Sequence, residues 1–147
     1  MRVIKHSALI AQPPDRVFAL INDIESYPRF LPWCTHARVE QRSEREVVAT
    51  VGVHRGPLQG EFTTRNELEP ERRIYMRLVR GPFHMLEGEW LLTALEDGGC
   101  RIDVCIRFAF TQRFAGALFE PFLQDTVASL VDAFLIRARA PDPLRAV

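Results

Sequence analysis

Apolar and polar residues alternate with period two through most of this chain and take up a helical period only near its end. Arg2 to Ala11 alternates loosely, and β-branched Val3, Ile4 and Ile10 predict a first strand. Gln12-Pro13-Pro14 stops it. Pro14 or Asp15 then opens a helix of about two turns, with an acid at its positive end. Val17, Phe18, Leu20 and Ile21 form its apolar face, and Asn22-Asp23 ends it. One further helical turn is expected around Glu25–Phe30.

Six more strands follow. Ala37, Val39 and Gln41 alternate with Arg38, Glu40 and Arg42. Glu46 to His54 places Val47, Ala49, Val51 and Val53 on one face. Arg55-Gly56-Pro57-Leu58-Gln59-Gly60 reads as a glycine-bounded loop. Glu61 to Leu68 sets Phe62, Thr64, Asn66 and Leu68 against Glu61, Thr63, Arg65 and Glu67. Arg73 to Arg80 sets Ile74, Met76 and Leu78 against Tyr75, Arg77 and Val79. Gly81-Pro82-Phe83 breaks the run, after which Leu86, Gly88, Trp90 and Leu92 share a face. Glu96-Asp97-Gly98-Gly99 is a hairpin signal. In the last strand, Cys100 to Phe110, Ile102, Val104, Ile106, Phe108 and Phe110 oppose Arg101, Asp103, Cys105 and Arg107.

The period then changes. After Thr111, a plausible cap, a helix from Phe114 to Ala138 carries a broad stripe of Leu118, Phe119, Phe122, Leu123, Val127, Leu130, Val131, Phe134 and Leu135. Pro121, with Gly116 nearby, should kink this helix or mark its true start. Short turns between strands make the sheet antiparallel and the class α+β. Seven strands about 4.8 Å apart give a sheet roughly 30 Å wide, and the long helix, at about 37 Å, can cross all of it. A helix about 10 Å across cannot cover that face, so an apolar hollow is expected beside it.

Asn22 to Cys34 stands out against this pattern. Two prolines and Tyr27, Phe30 and Trp33 occupy a connection that should lie at the surface. We read it as a lid over the hollow, the alternative being a plug for the core. By parity the hollow is lined by Val51, Phe62, Met76, Leu86, Trp90, Phe108, Phe110, Phe119 and Leu123, with Tyr27, Phe30, Leu31 and Trp33 closing it and Phe83 on a movable rim.

Composition changes this picture little. The 147 residues and ordinary apolar fraction fit one domain, expected over residues 1–140 with a flexible tail at 141–147. Net charge is zero, which argues against nucleic-acid binding by bulk charge. The bases are 18 Arg and one Lys, as a GC-rich genome would give. Cys34, Cys100 and Cys105 form no disulfide framework, and no signal peptide or membrane span is evident, so a cytoplasmic location is expected.

The order of elements resembles the helix-grip fold (START-like, Bet v 1-like) of the START/polyketide-cyclase superfamily. Asp23, Tyr27-Pro28-x-Phe30-Leu31-Pro32-Trp33-Cys34, Phe62-Thr63, Gly81-Pro82-Phe83-x-x-Leu86-x-Gly88-x-Trp90 and Ala133-Phe134 near Arg137-Ala138 resemble the coenzyme Q-binding START family. Thr64 stands where that pattern favours Ser. The family takes in mitochondrial ubiquinone-binding proteins and bacterial ribosome-association toxins. The resemblance implies ubiquinone, or a similar isoprenoid lipid, as bound ligand and no other cofactor. The protein would be a monomeric quinone carrier meeting the membrane or respiratory complexes transiently. Tyr27, Trp33 and Asn66 carry the polar groups suited to a quinone oxygen.

A rival function, also implied by the resemblance, is binding to the large ribosomal subunit to block its joining with the small one. Arg38, Arg42, Arg45, Arg72, Arg73 and Arg77 would then gather on outer strand faces, among acids such as Glu40, Glu44 and Glu71. A third is a polyketide-cyclase-type enzyme. The sequence offers no catalytic motif and no metal-ligand spacing among its four histidines, and Glu87 and Glu89 read as an outer face. We therefore expect a protein without catalytic residues or metal.

Overall fold

The computed structural model describes residues 2–56, 58–81, 83–110 and 113–139, with only the backbone at 55, 58, 110, 113–124 and 139. The expected cap at Thr111 and the tail at 141–147 lie outside the described residues.

Seven strands form one antiparallel sheet in the order β1-β7-β6-β5-β4-β3-β2. They are β1 (Arg2–Ile10), β2 (Cys34–Arg42), β3 (Glu46–Arg55), β4 (Leu58–Glu69), β5 (Arg73–Arg80), β6 (Phe83–Ala94) and β7 (Cys100–Phe110). The helices are α1 (Pro14–Asn22), α2 (Tyr27–Phe30) and α3 (Arg113–Arg139), with a 3-10 turn at Ile24–Ser26. β1 and β2 are the two edges, so α1 and α2 must carry the chain from one edge to the other. The curved sheet grips α3, the helix-grip arrangement expected from the order of elements.

Period-two alternation holds where the inner residues are large. Ile102, Val104, Ile106 and Phe108 of β7 and Leu86, Trp90 and Leu92 of β6 are buried against α3, which answers with Val127, Val131, Phe134 and Ala138. Of the four register shifts among the described residues, two break the expected parity within the strands as they were read. The register shifts between Val39 and Gln41, which leaves Glu40 as the extra residue and turns Gln41 out to solvent. A second shift, where Thr64 pairs Leu78 but Thr63 pairs Arg80, swings Arg80 onto the outer face. β3 is buried on both faces as a result. On the outer side Thr50 hydrogen-bonds Thr63 at 2.7 Å and donates to Glu40 at 2.9 Å, and Arg80 reaches the same Glu40 oxygen at 2.6 Å.

Several boundaries differ from expectation, among them β6, which already begins at Phe83 inside the expected break. β4 begins at Leu58, because the β3–β4 connection is a tight turn rather than a six-residue loop. β2 begins at Cys34, three residues early. α3 runs unbroken through Pro121, which marks no start. A proline there removes a helix hydrogen bond at a cost of about 3 kcal/mol, so packing of the stripe beyond it has to hold the helix on course.

Candidate functional site

An apolar cavity of about 120 Å³ lies between the sheet and α3. Phe62, Met76 and Leu86 stand in its wall, as the alternation predicts, together with Trp33 of the expected lid and Phe83, which is a buried residue of β6 rather than part of a movable rim. Val53, Gln59, Gly60, Glu61, Ile106, Thr126, Val127 and Leu130 join them. Val53, Ile106, Val127 and Leu130 all sit on faces read as inward, so they were findable by taking each whole face. Gln59 and Gly60 were missed because they were assigned to a loop.

The remaining candidates are placed elsewhere. Tyr27, Phe30 and Trp90 pack edge-on around Phe134, at centroid distances of 5.6, 5.5 and 5.7 Å. This four-ring cluster occupies the part of the expected hollow assigned to Tyr27, Phe30 and Trp90. Phe108 is fully buried behind Phe83, 6.5 Å between centroids, and Leu31 is fully buried in a cluster with Trp33, Cys34 and Val53. Val51 packs, half-buried, against both clusters rather than lining the cavity. The side chains of Phe110, Phe119 and Leu123 lie outside the described residues.

The stretch read as a lid is therefore divided. Its first half is fastened down: Arg137 of α3 lies 4.6 Å over the Phe30 ring and 3.8 Å from Asp23. The Tyr27 hydroxyl donates to the Ile21 carbonyl. Burial, with Cys34 and Asp23 nearby, pushes the Tyr27 phenol far above its ordinary value. Only Trp33 reaches the cavity wall. Tyr27→Phe should cost about 1–2 kcal/mol in urea unfolding, because it leaves a buried carbonyl unpaired. An unchanged midpoint would mean that the hydroxyl is replaced by water without loss.

Of the three polar groups proposed to meet a ligand, two are already engaged. Tyr27 holds Ile21, and Asn66 accepts from Thr64 at 2.8 Å without lining the cavity. The Trp33 indole N–H is buried and has no acceptor among the described residues. Burial also pushes the Cys34 thiol up to about 11, which keeps it protonated and unreactive near neutrality.

The outer face is a charge-compensated lattice. Arg38 meets Glu61 at 3.5 Å, Arg73 meets Glu89 at 3.0 Å, Arg77 meets Glu67 at 4.0 Å and Arg107 meets Glu87 at 3.7 Å. Glu87 and Glu89 are thus outer-face partners of arginines, as read from the sequence. The six arginines expected to gather do not. Arg38, Arg73 and Arg77 are paired there, Arg42 donates to the Asn22 carbonyl at 3.1 Å, and Arg45 and Arg72 sit in the β2–β3 and β4–β5 turns. The cause is the regular spacing of Glu beside Arg on neighbouring strands.

The His36 ring lies on Gly52, where any side chain would collide with it, and bonds Glu61 at 2.6 Å. That bond first, with Arg38 assisting, holds the Glu61 carboxyl below its usual 4.5. A depressed carboxyl stabilises the fold at pH above its unfolded value, and the gain is lost as pH falls through the lower folded value. Melting temperature should accordingly decline on acidification below pH 4.5, and Glu61→Gln should remove part of that decline. Identical acid profiles for the two proteins would contradict this. Among the described residues no group of three His, Cys, Asp or Glu is placed to hold a metal, and no helix is long and apolar enough to cross a membrane.

Comparison with known proteins identifies the lineage of this site. Residues 10–135 match the family described as polyketide cyclase / dehydrase and lipid transport. Among individual proteins, the ribosome association toxin RatA of Escherichia coli K12 is 36% identical over 139 residues, covering 95% of this chain and 88% of that protein. RatA of Pseudomonas aeruginosa PAO1 is 38% identical over 136 residues, covering 92% and 94%. The crystal structure of the Zhui aromatase/cyclase from Streptomyces sp. R1128 superposes with a TM-score of 0.83 over 93% of both chains at 18% identity, a likeness of fold. The chain belongs to the polyketide cyclase / dehydrase and lipid transport family.

Proposed function

We propose that the protein associates with the ribosome, on the large subunit, and obstructs its joining with the small one. One observation carries this reading. The RatA proteins of Escherichia coli, Vibrio cholerae and Pseudomonas aeruginosa are 34–38% identical to it and align along nearly the whole of both chains. The protein acts in this reading without chemistry of its own and in the cytoplasm. Among the described residues the cavity wall carries one carboxylate, Glu61, and that group is turned to His36 and Arg38 on the outer face. A cyclase would need an acid–base pair inside.

The test is a sucrose-gradient profile of a translating bacterial lysate. Added protein should deplete joined ribosomes and accumulate free subunits in proportion to dose. A profile that stays unchanged at an excess of protein over ribosomes would overturn the proposal.

The cavity favours a second reading, the uptake of a small apolar ligand. Its wall is almost wholly hydrocarbon, and the Trp33 N–H is a buried donor without an acceptor among the described residues. Leaving such a donor unpaired costs about 1–3 kcal/mol, which a ligand oxygen could recover. At about 120 Å³ the hollow is near the roughly 150 Å³ that admits benzene. That volume suits a single ring better than an isoprenoid tail. Ubiquinone therefore takes second place, and mass spectrometry of lipid co-purified with the protein would decide it.

A further inference from the structure

We infer that the protein contacts the phosphate backbone of ribosomal RNA through one end of its sheet, the end built from the β3–β4 and β5–β6 turns. This deepens the ribosome reading and rests on it. Zero net charge and a compensated outer face leave the question of where a polyanion could be held. The antiparallel register answers it by sorting the chain's strand ends onto two opposite ends of the sheet.

At one end lie 13–16, 42–46, 67–73 and 94–101, which carry eight acids (Asp15, Glu44, Glu46, Glu67, Glu69, Glu71, Glu96 and Asp97) against six arginines (Arg16, Arg42, Arg45, Arg72, Arg73 and Arg101). At the other end lie 2–4, 54–56, 58–60, 79–81, 83–86, 107–110 and 113. Together they contain Arg2, His54, Arg55, Arg80, His84, Arg107 and Arg113 and not one Asp or Glu in the sequence. In a chain with no net charge, this is a dipole directed along the strands. Arg80 and Arg107 also hold Glu40 and Glu87, which come from further inside the strands.

The basic turns are held close to one another. A Cβ on Gly81 would fall 2.8 Å from the Cβ of Phe62, so the β5–β6 turn is seated on the start of β4. His54 and His84 are exposed beside it. Arginine suits this partner, because its planar fork grips phosphate oxygens in pairs. A lipid surface suits the end less well. Interfacial binding draws on Trp, Phe or Leu pushed into the headgroups, whereas the large apolar residues exposed here, among those described, are Val3 and Val79.

The experiment measures binding of the full-length protein to isolated large ribosomal subunits over a range of KCl concentrations. The test variant is His54→Glu/Arg55→Glu/His84→Glu. The control is Arg45→Glu/Arg72→Glu at the opposite end, where neither arginine has an ion-pair partner among the described residues. Matched thermal melts establish that both are folded, and His54→Gln/Arg55→Gln/His84→Gln replaces the test variant should it melt early. The expected result is a loss of affinity in the test variant alone. Its log–log salt slope should be shallower than wild type by about 1 for each phosphate contact removed. Equal binding by wild type and test variant, or an equal loss in the control, would overturn the assignment of this end while leaving the ribosome reading intact. Failure of the wild type itself to bind subunits would overturn both. Binding by wild type, but not the test variant, to anionic phosphatidylglycerol vesicles in place of subunits would reassign the end to a membrane.

Discussion

Phe134→Ala should lower the melting temperature by about 10 °C, the largest effect expected of any single truncation among the described side chains of α3. Phe134 is fully buried and touches three other rings, those of Tyr27, Phe30 and Trp90. Truncating a packed core phenylalanine costs about 3–5 kcal/mol, from lost burial and the void left behind. Each kcal/mol moves the midpoint by about 2–4 °C in a domain of this size. The loss should be cooperative. Phe134 is what α2 leans on, so the Arg137–Phe30 stacking and the Tyr27–Ile21 bond lose their backing together. Differential scanning calorimetry measures it. A shift of only about 2 °C would mean that the rings collapse into the gap at little cost, and that the fastened half of the Asn22–Cys34 stretch is looser than its contacts indicate.

The second large effect should be reversible by a ligand. Phe83 stands in the cavity wall between Phe62 and Phe108, with centroids at 6.2 and 6.5 Å. Phe83→Ala should cost about 3–5 kcal/mol and join the vacated volume to the existing hollow. Apolar cavities of this kind stay dry and accept small aromatic molecules. Toluene at about 100 times its dissociation constant would restore about 2.7 kcal/mol. The variant should therefore melt well below wild type without toluene and close much of the gap with it, while wild type gains less. If toluene shifts neither protein, the hollow closes up in solution and the apolar-ligand reading loses its support.

Much of the architecture was legible because strand alternation survives wherever the inner residues are large and the outer ones charged. β5 and β7 were read with their observed bounds for that reason. The bulges were not legible. A one-residue insertion leaves no compositional mark, and only polar Gln41 on a face assigned as inward hinted that the parity had slipped. β4 was started late because Gly56-Pro57 and Gly60 weigh towards a loop, while the register carries Leu58, Gln59 and Gly60 into the ladder opposite Arg55, His54 and Val53. Pro121 was given its local penalty, which the packing of the helix overrides.

The site was legible in part for a related reason. Parity says which side of a strand faces inward, and so it found Phe62, Met76 and Leu86. It does not say which inward residues touch each other and which face a void. Tyr27, Phe30 and Trp90 were all inward and all aromatic, but Phe134, on the opposing helix, claims them. That pairing depends on the rotation of α3 about its axis, which the apolar stripe fixes only broadly. The same gap affected the arginines. Sequence places them on outer strand faces, and only cross-strand register reveals that Glu stands beside Arg38, Arg73 and Arg77.

The central claim is that this protein binds a ribosomal subunit, and co-sedimentation with isolated subunits tests it most directly. Purified protein mixed with large subunits, and separately with small subunits, is centrifuged at moderate salt and the pellets are assayed. The account predicts saturable, stoichiometric recovery with large subunits, falling steeply as salt rises, and none with small subunits. Recovery with neither, or with small subunits alone, would contradict it.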